Sequence, residues 1–145
     1  MLEPSQVEKW VKDRMKENPF MTLIGAQMDE VKCGFAQLSI EIDPKKHANR
    51  YGAVHGGVMF AMADTAMGAL CYSLGAQVVT LSATINFIKN TMQNDTFIAR
   101  ATPIHRGRST IIGKVQVFNH ENVLMADLMV TMFVTGIFDE IPKKW

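Results

Sequence analysis

Between Asn49 and Asp64 the chain gathers the side chains best able to do chemistry: Asn49, His55, Gly56, Gly57 and Asp64. Gly56 and Gly57 fall where a long helical pattern begins. A helix start carries unpaired backbone N–H groups and a partial positive charge, and glycine lets a ligand approach that backbone closely. Such donors suit the oxyanion that develops on an attacked carbonyl. The same pair of glycines also suits a tight entry from loop to helix, and residue type alone does not separate the two readings. Asp64 lies eight positions further along the same apolar pattern. A carboxylate there is costly to desolvate unless it is paired or faces a polar cavity. It is therefore either bonded to a neighbouring turn or a partner chain, or a base or nucleophile in a cleft. Partial burial raises a carboxyl pKa, so an ionised Asp64 needs donors. Thr80 and Ser82, on the polar side of the next strand pattern, are the candidates.

The remaining polar residues say less. The Asn49 amide could polarise a carbonyl or orient water, and it is equally an ordinary loop residue. His55 could be a general acid, a helix-cap donor or purely structural. Arg106 and Arg108 sit in a turn, with Lys114 after it, where they form a solvated edge or meet a phosphate. His47, His105 and His120 show no metal-ligand spacing. Cys33 and Cys71 make neither a zinc site nor a disulfide framework, though one bridge stays open. No metal or cofactor is expected.

The element that must hold Gly56 and Asp64 is a helix from His55 to Leu74, with Gly75 as its C-cap. Its apolar residues cover every face, so it is buried or spans a membrane. It is barely long enough for a bilayer, holds Asp64 and is rich in Gly and Ala, which favours a core helix. An earlier helix begins with Ser5 and Glu8 as a capping box, aligns Val7, Trp10, Val11 and Met15, and ends at Asn18-Pro19. A strand near 25–31, a turn at Lys32-Cys33-Gly34 and a strand through Leu38, Ile40 and Ile42 follow. Asp43-Pro44-Lys45-Lys46 opens an irregular loop to about Val54. After the long helix, Val79, Leu81, Ala83, Ile85 and Phe87 alternate with polar residues. Three more extended runs follow at 95–104, 109–118 and 123–137, separated by turn residues. Short connections imply antiparallel neighbours. The fold class is α+β: one core helix wrapped by a curved antiparallel sheet of five to six strands.

Composition narrows the function. A chain of 145 residues fits one domain. At 48% hydrophobic and 20% charged it is not intrinsically disordered. Its net charge of +1 lacks the excess that a broad nucleic-acid-binding surface needs. The first residues carry acidic side chains and no apolar run, which does not read as a signal peptide and makes the cytoplasm the expected compartment.

The series Asn49-x-x-Gly52-x-x-His55-Gly56-Gly57, followed by Ala63-Asp64, resembles the signature of hotdog-fold acyl-CoA thioesterases, in particular the PaaI-like (phenylacetyl-CoA type) group. The order of elements agrees along nearly the whole chain. The resemblance implies a single hotdog domain over 1–145, with residues 1–19 packing on it as an N-terminal helix. It implies a homodimer, often paired into a homotetramer, that hydrolyses an acyl- or aryl-CoA thioester without cofactor. Residue by residue, Asp64 matches the catalytic carboxylate and Gly56 the oxyanion N–H, beside Gly57. Asn49 matches the loop amide, His55 the histidine that orients the thioester, and Thr80 the hydroxyl beside the carboxylate. Arg106 and Arg108 match loosely where relatives contact coenzyme A. A non-catalytic acyl-CoA-binding protein and a hotdog enoyl-CoA hydratase or dehydratase are the competing classes. The first has no use for a carboxylate in an apolar tunnel. The second needs an Asp and His placement that Asp43-Pro44 does not supply.

One geometric expectation needs no family. At ~1.5 Å per residue, Gly56 and Asp64 stand ~12 Å apart along one helix. A reacting carbon within about 3–3.5 Å of one group cannot also present its oxygen to the other. A second helix running antiparallel in a two-fold dimer brings Gly56 of one chain to Asp64 of the other.

Overall fold

The computed structural model describes residues 1–145. Its elements are α1 Pro4–Lys16, α2 Pro19–Ile24, β1 Ala26–Lys32, β2 Phe35–Glu41, α3 Pro44–His47, α4 Gly56–Ser73, β3 Ala76–Phe87, β4 Thr96–Arg106, β5 Thr110–Phe118 and β6 Leu124–Ile137. The strands form one antiparallel sheet in the order β1-β2-β4-β5-β6-β3. Met59, Met62, Ala63, Ala66, Met67, Ala69, Leu70 and Cys71 bury α4 on nearly every side. Leu38, Ile40, Phe97, Val115, Val117, Leu128 and Val130 supply the sheet's half of that core. Each large side chain so buried contributes ~1.5–3 kcal/mol. No helix is long and apolar enough to cross a membrane. Cys33 and Cys71 are both free thiols, and burial pushes Cys71 up to about 12.

Several local expectations need correction. The first helix is capped two residues earlier than the Ser5–Glu8 pattern suggests. Glu3 is the N-cap, its N–H donates to Gln6 Oε1 at 3.0 Å, and Pro4 takes the first helical position, which suits its fixed φ. Asn18-Pro19 does close that helix, but it also opens another. Asn18 Oδ1 accepts from the Phe20 and Met21 N–H groups and caps α2. The loop after Asp43 holds a one-turn helix, α3, capped by the Asp43 carboxylate. At the far end of α4 the cap is Leu74, and Gly75 follows with φ +77°, a left-handed turn that glycine makes without strain.

The phase of β3 changes partway along. Thr80 pairs with Met132 and Ser82 with Thr131, leaving Leu81 as the extra residue of a β-bulge. Before the bulge Val78 and Thr80 face α4; after it Ala83, Ile85 and Phe87 do. Val79 and Leu81 are exposed, so the single apolar face read over 79–87 is two half-faces. The bulge cannot be read from alternation, because one inserted residue leaves a plausible pattern on either side.

The β5–β6 turn is tied to the start of β4 by an ion pair. Asp95 Oδ1 accepts from the Thr96 N–H at 2.7 Å, the His120 N–H at 3.1 Å and His120 Nδ1 at 2.6 Å. Burial works to raise the Asp95 pKa, but these hydrogen bonds outweigh it and hold the carboxyl below its usual value. The bond to Asp95 raises the His120 pKa. The raised histidine stabilises the fold below the free imidazole value and loses that contribution as pH rises through its folded pKa. The lowered carboxylate contributes above the free carboxyl value and loses it as pH falls. Both act together between about pH 4 and about pH 6.5, the ordinary values of the two groups. His120→Ala is expected to lower Tm more at pH 5.5 than at pH 8.5; equal losses in thermal denaturation at the two pH values would refute the linkage.

Candidate active site

The entry to α4 is held by a set of short bonds. The buried His47 ring accepts the Asp43 N–H at Nδ1, 2.9 Å, and meets the Ile24 carbonyl through Nε2, 2.8 Å. Its carbonyl accepts the His55 N–H at 2.7 Å. One residue thereby joins the end of α2, the turn of α3 and the start of α4. From the other side, Asn90 Nδ2 donates to the Val54 carbonyl at 2.7 Å. Neither His47 nor Asn90 was singled out by sequence as part of this region.

Asn49 shapes the loop. Its Oδ1 accepts the Tyr51 N–H at 2.9 Å and the Ala53 N–H at 3.1 Å, and Gly52 makes the turn with φ +86°. The amide oxygen is committed to its own loop, so only the NH2 group remains for a ligand. His55 is the N-cap, as an acceptor and not a donor: its Nδ1 takes the Gly57 N–H at 2.8 Å. That bond puts the proton of a neutral ring on Nε2. The two glycines are needed for space. A Cβ on Gly57 would lie 2.9 Å from His55 Nδ1, and one on Gly56 would lie 2.8 Å from Phe87 Cζ. The Val58 N–H bonds the His55 carbonyl, whereas the Gly56 N–H makes no hydrogen bond within the chain. It is the free donor at the positive end of α4.

Asp64 is half-buried. Thr80 Oγ1 donates to its Oδ1 at 2.6 Å, and Oδ2 makes no hydrogen bond within the chain. A cavity of about 240 Å³ opens beside the pair, lined by Ala61, Gly68 and Tyr72 of α4, Val78 of β3 and Met132 of β6, and closed by residues of α1 and α2. Ser82 is not brought to this carboxylate, because the bulge at Leu81 turns it to the opposite face of the sheet. Arg106 and Arg108 lie at the other end of α4, where Arg106 Nη2 donates to the Leu74 carbonyl at 2.8 Å. Neither arginine forms an ion pair. Within one chain the carboxylate and the free N–H stay ~12 Å apart on the helix.

A carboxylate with one oxygen held and one free, in a cleft, can accept a proton from water or add to a carbonyl. Residues 51–126, just over half of the chain, match the family model described as the thioesterase superfamily. The chain belongs to that superfamily. The acyl-coenzyme A thioesterase PaaI of Escherichia coli K12 is 31% identical to it over 99 residues, 68% of this chain and 68% of that one. The structure of the E. coli PaaI protein from the phenylacetic acid degradation operon has a TM-score of 0.86 at 25% identity, covering 94% of this chain and 99% of that one. A "hypothetical thioesterase protein" of Streptococcus pneumoniae TIGR4, solved with coenzyme A, has a TM-score of 0.79 at 26% identity, covering 86% and 97%. This superfamily member is of the PaaI-like type, and its sheet wrapped on α4 is the hotdog fold.

The Thr80 hydroxyl generates a prediction. A hydrogen bond to a charged group is worth ~1.5–3 kcal/mol, so Thr80→Val should lower kcat for thioester hydrolysis by about tenfold or more. Thr80→Ser, which keeps the donor, should retain most of it. Steady-state kinetics in which Val and Ser behave alike would sink this role.

Proposed function

We propose that the protein hydrolyses an acyl- or aryl-CoA thioester to the free acid and coenzyme A. The observation that carries the reading is Asp64: one carboxylate oxygen held by Thr80, the other free, facing a cavity with both apolar and polar walls, Arg14 and Asn18 among the polar ones. The Asp64 carboxylate takes a proton from water as the water oxygen bonds the thioester carbon, or it bonds that carbon itself. In both forms the carbonyl oxygen becomes an oxyanion at the Gly56 N–H, next to Gly57. The C–S bond then breaks, the sulfur leaves with the electron pair and takes up a proton. When Asp64 is the nucleophile, water afterwards cleaves the acyl anhydride. The His55 Nε2–H and the Asn49 NH2 group are placed in this reading to orient the thioester. Arg106 and Arg108, without carboxylate partners, serve the phosphates of coenzyme A.

The helix spacing makes the site a property of two chains. The outer edge of β3 has no strand partner, and an unpaired edge is a template for pairing. Two-fold pairing of β3 with its copy sets the two α4 helices antiparallel, with Gly56 of one chain near Asp64 of the other. Val79, Leu81, Met129 and Phe133 are exposed on the outer side of the sheet, which supports a second contact and a homotetramer.

Two experiments test the reading. Asp64→Asn should lower kcat on a hydrolysed acyl-CoA by about a hundredfold or more, as for loss of a general base. Near wild-type turnover would reject the assignment. For the shared site, inactive Asp64→Asn and Asn49→Ala dimers are unfolded and refolded together in equal amounts. About half of the dimers are then mixed, each with one intact site, and activity should approach about a quarter of wild type. Activity that stays at the level of the separate variants would place both residues in one chain's site.

A further inference from the structure

Of the ten glycines, Gly68 is the one with neither a left-handed backbone nor a neighbour in the way. Gly25, Gly34, Gly52 and Gly75 have positive φ, and at Gly56, Gly57, Gly107, Gly113 and Gly136 an added Cβ would meet another atom closely. At Gly68 nothing lies within 4 Å of such a Cβ. Glycine inside a helix costs stability relative to alanine, and here neither packing nor conformation asks for it. The open space above it is the cavity beside Asp64.

We propose that Gly68 is the specificity-determining residue of that cavity: it leaves room for a hydrocarbon acyl group lying along α4 from Asp64 towards Tyr72. The inference rests on the thioesterase reading above and adds the length of the acyl group. Met15, Val78 and Met132 give the cavity apolar walls, while Arg14 and Asn18 line its side towards the first two helices. Thr65 presents no polar demand there, since its hydroxyl donates to the Ala61 carbonyl at 2.7 Å. At ~1.5 Å per residue, Gly68 stands ~6 Å and Tyr72 ~12 Å from Asp64 along the axis. An extended carbon chain with bonds of ~1.5 Å advances ~1.25 Å per carbon. Gly68 then sits beside about the fifth carbon and Tyr72 beside about the tenth. The substrate class is a medium-chain acyl group.

The test compares Gly68→Ala and Gly68→Val with wild type on acetyl-CoA and octanoyl-CoA, reading thiol release. The ratio of kcat/KM for octanoyl to that for acetyl should fall about tenfold in the alanine variant and about a hundredfold in the valine variant, as one or a few misplaced methyl groups do in a pocket. Gly68→Ala should also raise Tm, because it removes a helix-interior glycine. An unchanged ratio overturns the proposal, whatever the absolute rates. So does a changed oligomeric state of Gly68→Val by light scattering, which would assign the space to a second copy of the chain. If wild type hydrolyses neither these esters nor phenylacetyl-CoA, the thioesterase reading fails by itself. Thermal stabilisation by octanoyl-CoA over acetyl-CoA that is lost in Gly68→Val then upholds the pocket, and its absence in wild type overturns the pocket too.

Discussion

An 18-residue helix with almost no face to give to water sets the terms for everything around it. Such a helix is stable only when covered. Strands β2, β3, β4 and β5 cover most of it, and α1 and α2 close the side that the sheet leaves open. The curvature of the sheet follows from this demand: a flat sheet would shield one stripe and leave Met59, Met67 or Leu70 wet. The gap that remains lies between β3 and the first two helices, and the carboxylate of Asp64 stands there. Enclosure of the apolar residues and exposure of the one acid are two results of the same arrangement.

The helix also limits what one chain can do. It offers a free N–H at its first residue and a carboxylate two turns later, and its rigidity keeps them apart. In the proposed reaction rigidity is useful, since a donor aimed in advance costs no reorganisation when charge develops. The same stiffness means that neither group can move to meet the other. The open edge of β3 is the feature on which the proposed pairing with a second copy rests.

The entry loop shows how such a donor is held. Asn49 and His55 look like reagents in the sequence, whereas His47 and Asn90 do not stand out there. In the folded chain, His47 and Asn90 fasten backbone to backbone, Asn49 closes its own turn, and His55 occupies the Gly57 N–H so that the Gly56 N–H is left alone. Polar side chains at a helix entry satisfy groups that the helix itself cannot, and those that do so are no longer free to act on a ligand with the same atom.

Sequence alone determined the elements governed by local rules. The all-apolar run of α4, the alternation in β2, the turn at Gly34 and the left-handed Gly75 are each specified by residues near one another in the chain, so periodicity and turn chemistry reveal them. Asp64 stood out because a charge in an apolar helix conflicts with its surroundings, and Thr80 because the alternation counts it among the polar residues of the next strand, although it faces α4 in the fold. Tertiary structure decided the rest. The bulge at Leu81 sends Thr80 towards Asp64 and Ser82 away, through a register set by β6. Arg106 caps α4 because β4 ends beside Leu74. The vacancy over Gly68 exists only where α1, α4 and β3 fail to meet. These depend on distances between segments far apart in the chain, and no local pattern carries that information.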